Sequence, residues 1–153
     1  MKHSALSILA FALLSAPVAL MANPSSTDLA REAVPLSEIA EAAYSVSAED
    51  VSTKAGEATK VMLSIKAKSG YKVNAKYPTK VTASAPGGVE LQQSKFRTKD
   101  GTFKDKKTLE FAVPVMAKIA GKHKVDFKVK FSVCSADQCL LKKATVQAMV
   151  SAK

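Results

Sequence analysis

Val125-Asp126-Phe127-Lys128-Val129-Lys130-Phe131-Ser132-Val133-Cys134 places an apolar side chain at every second position, with charged or hydroxyl side chains between them. After four intervening residues Cys139 precedes a second run, in which Ala144, Val146, Ala148 and Val150 alternate with Thr145, Gln147 and Met149. A period of two is that of a strand with one buried face. If Cys134 faces Cys139, then Val129 faces Ala144, Phe127 faces Val146 and Val125 faces Ala148 on one side of a hairpin. Lys128 then meets Thr145, and Asp126 meets Gln147, on the other. A slip of one residue would set apolar against polar side chains along the whole ladder. The pattern therefore predicts a hairpin with a four-residue loop, Ser135 to Gln138, clasped by two cysteines that share the polar, Lys-bearing face within reach of another protein.

Upstream, the same period recurs more faintly. Val61, Leu63, Ile65 and Ala67 alternate before Ser69-Gly70, and a short piece follows at Tyr71 to Asn74. Val81 to Ala85 and Val89 to Gln93 flank the turn Pro86-Gly87-Gly88. Leu109, Phe111, Val113 and Val115 alternate again, with Pro114 marking an edge or a bulge. Roughly seven short strands without a long helical pattern predict an all-β fold, an immunoglobulin-like antiparallel β-sandwich, with a small barrel as the alternative.

The start of the chain sets the compartment. Met1-Lys2-His3, the uncharged Ala- and Leu-rich run from Ala5 to Ala19, and the small Ala22 read as a secretory signal peptide over residues 1–22, removed on maturation. The run is too short for a membrane span, Pro17 interrupts it, and no second long apolar run follows. The mature protein is therefore expected to be exported and to carry no transmembrane segment. Residues 23–50 hold Arg31 against Asp28, Glu32, Glu38, Glu41, Glu49 and Asp50, a net of −5, and read as an acidic linker. Leu36, Ile39, Ala40 and Ala43 have helical spacing and predict at most one short helix there. With +10 on the whole chain and only Lys2 charged in the signal, residues 51–153 form a body carrying +14.

That charge raises the possibility of polyanion binding. Only Arg31 and Arg97 are arginines, the chain has no Trp, and no aromatics interleave the basic run Lys104 to Lys107, so nucleic acid is not an expected partner. Metal and cofactor sites are not expected either. His123 is the single histidine of the mature chain and reads as a surface residue near a strand start, while two cysteines and one distant histidine do not make a zinc set. No nucleophile elbow or phosphate loop is present.

The chemistry left over is that of Cys134 and Cys139, the chain's only cysteines. Closing a ring of about six residues stabilises a fold by only about 2 kcal/mol. Small exposed disulfides are the reducible kind, and two cysteines supply the attacked and resolving positions that thiol exchange needs. Exported proteins also hold inert local disulfides, so the residues alone leave a redox role and a structural role both open. In the second case the domain is a non-enzymatic binding or adhesion module.

Ser69-Gly70-Tyr71 after a strand, Gly88-Val89, Leu109-Glu110-Phe111-Ala112-Val113-Pro114-Val115, Gly121 and the strand entering Cys134 and Cys139 together resemble the N-terminal periplasmic domain of the thiol:disulfide interchange protein DsbD family. The likeness covers roughly residues 50–150, which sets an immunoglobulin-like domain at 51–153. It implies thiol:disulfide interchange through a redox-active Cys134/Cys139 pair, with Cys139 the attacked sulfur. It also implies a periplasmic location and transient mixed disulfides with periplasmic or membrane thiol-disulfide proteins. Lys95 to Phe103 falls where that family carries a cap loop, so Phe96, and after it Phe103, is the candidate aromatic cover for the disulfide. Lys130 and Lys143, two same-face pairs below the cysteines, are candidates for favouring the leaving thiolate slightly. The chain departs from the family pattern in its closer cysteine spacing and in Leu140-Leu141-Lys142-Lys143 after the second cysteine.

Overall fold

In the computed structural model, residues 38–153 are described; the expected signal peptide and the linker as far as residue 37 lie outside them. Twelve strands form two six-stranded sheets. The first sheet runs in the order β1 (Glu38–Ala40), β2 (Tyr44–Ala48), β4 (Ala58–Ala67), β10 (Thr108–Ala117) and β7 (Val89–Leu91), with β9 (Thr102–Phe103) also on β10. The second runs β3 (Val51–Thr53), β12 (Cys139–Ala152), β11 (Gly121–Cys134), β6 (Lys80–Ser84) and β8 (Lys95–Arg97), with β5 (Lys72–Val73) also on β11. All pairs are antiparallel except β3 beside β12. The protein is an all-β, immunoglobulin-like sandwich.

The inward residues of both sheets build one core. Val61, Leu63 and Ile65 of β4 and Leu109, Phe111, Val113 and Val115 of β10 face Val125, Phe127, Val129, Phe131 and Val133 of β11. Two edge-to-face aromatic contacts join the sheets, Tyr44 to Phe131 with centroids 4.9 Å apart and Phe96 to Phe111 at 6.5 Å. Each such fully buried side chain stabilises the fold by roughly 1.5–3 kcal/mol over leaving it in water.

Each of the seven predicted strand segments overlaps an observed strand, and the β11–β12 register agrees pair for pair, from Gly121 opposite Ala152 to Cys134 opposite Cys139. Pro114 makes no bulge, since β10 pairs continuously with β4 from Thr108 opposite Lys66 to Met116 opposite Ala58. Its missing N–H costs nothing because β9 and β7 join the other side of β10 only at Leu109–Glu110 and Val115–Ala117, leaving an open edge between them.

The linker expectation needs correction over its second half. Ile39 and Ala40 lie in β1, not in a helix, and pair with Val46 and Ser45 of β2. The Glu41 N–H donates to the Tyr44 carbonyl at 2.8 Å and turns the chain. Tyr44, Val46 and Ala48 then bury against the core along the edge of β4. Burial on a waiting sheet edge outweighs a weak helical spacing, so the sandwich begins by Glu38 and not at residue 51.

Candidate functional site

β11 and β12 end together at the tip of the hairpin, where Cys134 and Cys139 form a disulfide with Cα atoms 4.0 Å apart. Ser135 fastens the loop. Its N–H donates to the Gln138 carbonyl at 2.8 Å, and its Oγ accepts from the N–H groups of Asp137 and Gln138, each at 3.2 Å. The Ser132 carbonyl points away from β12 and accepts from Asn74 N–H at 2.9 Å. Cys134, on the same parity, is thus in the non-hydrogen-bonded type of pair, in which facing side chains come closest.

The two sulfur-bearing residues differ in access. Cys134 is 7% exposed, whereas Cys139 is exposed. The alternation put both on the open, Lys-bearing face, and that holds only for Cys139. β5 joins the free edge of β11 at Val133 and Cys134, Asn74 N–H continues the contact to the Ser132 carbonyl, and Ser132 and Cys134 are buried where Lys128 and Lys130 remain exposed. The joining strand comes from a segment some sixty positions earlier in the chain, which no period within β11 reveals.

A groove of about 800 Å³ opens beside the disulfide. One wall is Lys72 to Lys76, the other is Phe103, Asp105 and Lys106, and Cys134, Ser135 and Cys139 complete it. The walls are tied together by the Val73 N–H, which donates to the Lys106 carbonyl at 3.0 Å. Phe103 therefore stands at the site, at 36% exposure. Phe96 does not. It is 4% exposed, pairs with Val81 in the second sheet and packs on Phe111, so this first candidate cover is a core residue. Lys130 and Lys143 face each other as expected but line no part of the groove. The lysine that adjoins Cys134 is Lys72, its register partner on β5.

Beyond Cys139, Lys142 occupies an inward position of β12 and closes the end of the sandwich. Its Nζ lies 3.0 Å from Glu41 Oε2 and 5.8 Å from the centre of the Tyr44 ring, while Tyr44 O–H donates to Glu41 Oε1 at 2.7 Å. The Tyr44 and Lys142 hydrogen bonds hold the Glu41 carboxyl below its ordinary range. Burial, then the bond to Glu41, pushes the Tyr44 phenol up. Sequence reading missed this trio, although Tyr44-Ser45-Val46-Ser47-Ala48 carries the strand alternation that would have found Tyr44.

His123 corrects another expectation: it is 9% exposed, and its Nε2 bonds the Ile119 carbonyl at 2.9 Å. Among the described residues no three His, Cys, Asp or Glu side chains gather as a metal site, and no helix is long and apolar enough to cross a membrane.

No protein-family model matches this chain, and no curated relative matches it. Solved structures similar to it include AggA, the major subunit of aggregative adherence fimbriae type I from Escherichia coli, at 11% identity and a TM-score of 0.37, over 71% of this chain and 91% of that one. WR4, a C. elegans MSP family member, is 5% identical with a TM-score of 0.39, over 71% of this chain and 97% of that one. The N-terminal periplasmic domain of ScsB from Proteus mirabilis is 11% identical with a TM-score of 0.38, over 73% of this chain and 49% of that one. At these scores the likenesses carry no argument about site or activity.

Proposed function

We propose that this protein is an exported, periplasmic thiol-disulfide carrier whose Cys134/Cys139 pair passes electrons between partner proteins, as the resemblance to the DsbD N-terminal domain implies. The observation that carries this reading is the unequal access of the two residues: Cys139 exposed, Cys134 buried, at the end of a groove. A reduced partner's thiolate attacks Cys139 Sγ, a sulfur–sulfur bond forms between them, and Cys134 leaves as a thiolate. The ammonium of Lys72 on the adjoining strand favours that leaving group. The partner's second thiolate then attacks its own sulfur in the mixed disulfide and releases Cys139. Two electrons have moved, the partner is a disulfide, and the pair takes up two protons to become a dithiol. The same steps in reverse reduce an acceptor.

Incubation in graded glutathione redox buffers, with thiol state read by mass and fold by circular dichroism, tests this. The bond is expected to open while the sandwich stays folded. Cys134→Ser should trap partners covalently on Cys139, and Cys139→Ser should trap few. A bond that resists reduction until the protein unfolds overturns the reading and leaves a binding or adhesion module with a structural disulfide.

A further inference from the structure

We propose that the groove beside the disulfide docks an acidic, extended, thiol-bearing segment of the partner protein, held by Lys72, Lys76 and Lys106; this rests on the exchange reading above. At about 800 Å³ with mostly apolar walls, the groove is far larger than a thiol needs and has the size of a cleft that takes several residues. Its rim is positive. Lys72, Lys76 and Lys106 are exposed, and none is in a salt bridge among the described residues. Asp105, the carboxylate of the lining, is turned onto its own loop, accepting from Lys107 N–H at 2.6 Å and Thr108 Oγ1 at 3.4 Å. The Val73 to Lys106 hydrogen bond fixes the two lysine-bearing walls relative to each other, so docking needs little ordering of the site. Lysines are mobile point charges, which select net charge and not one fixed carboxylate geometry. The partner is therefore recognised by acidic residues flanking its cysteine, and a basic flank is repelled.

Short synthetic peptides with one central cysteine flanked by glutamate, glutamine or lysine test this on the oxidised protein. Rates are compared per thiolate, because acidic flanks raise the thiol pKa. The glutamate peptide is expected to react roughly tenfold faster than the lysine peptide at low ionic strength, with the gap closing as salt rises. In a Lys76→Glu, Lys106→Glu variant, which keeps Lys72 beside Cys134, the gap should vanish or invert, while reduction by neutral mercaptoethanol stays as in the wild type. Equal rates for all peptides, or a gap untouched by the variant, overturn the docking site and leave the exchange reading standing. Peptides with serine in place of cysteine report binding without exchange. If the acidic serine peptide binds but no cysteine peptide reacts, the exchange reading fails and the docked segment is no electron donor. An increase in rate on reversing Asp28 and Glu32 would assign the groove to this chain's own leader, and a rate that falls with protein concentration would assign it to a second copy. Either overturns the proposal.

Discussion

Phe96 and Phe103 stand seven positions apart by number, and their surroundings give them different work. Phe96 fills the core against Phe111, so Phe96→Ala should lower stability in urea by about 3–5 kcal/mol. Phe103 is partly exposed in the groove wall, so Phe103→Ala should cost under about 1 kcal/mol while speeding disulfide reduction by a small thiol. A neutral Phe96→Ala would remove that residue from the core. Neither role was legible beforehand, because both aromatics sit in a loop-like stretch, Lys95 to Phe103, with no alternation to say which faces inward. The cysteines were legible because fourteen successive pairs of one hairpin fix where they meet.

At the scale of elements, the Glu41–Tyr44–Lys142 contact fastens the β1–β2 turn to the start of β12. Its dependence on pH has two limbs. Glu41 has a lowered folded pKa, so its contribution is full above the ordinary carboxylate range and is lost as pH falls through the folded value. Tyr44 has a raised folded pKa, so its contribution is full below the ordinary phenol range, near 10, and is lost as pH rises past it. The melting-temperature difference between wild type and Glu41→Gln should therefore be largest near neutrality and shrink in acid. Tyr44→Phe should flatten the alkaline decline. A difference constant across the whole range would mean that the trio does not titrate as a unit. The acidic leader is thus part anchor and not tether alone, through a contact spanning a hundred residues of sequence.

Across the whole molecule, neither cysteine belongs to the hydrophobic core cluster, which is continuous between the two sheets without them. Replacing both with serine should leave the far-ultraviolet circular dichroism unchanged and cost about 2 kcal/mol, the small-ring entropy. A chain that fails to fold without its sulfurs would show the bridge to be structural. The same separation of core from tip is what an exchange domain requires, since it must stay folded in both oxidation states.

By itself the sequence determined the strands of period two, the sandwich they make, and the register that brings Cys134 to Cys139, because alternation and pairing are local properties of neighbouring side chains. Only the tertiary structure decided which cysteine is exposed, which phenylalanine lines the groove, and that Glu38–Ala40 and Tyr44–Ala48 are strands. Those outcomes depend on segments far apart in the chain, β5 beside β11 and β2 beside β4, whose approach is recorded in no single stretch of residues.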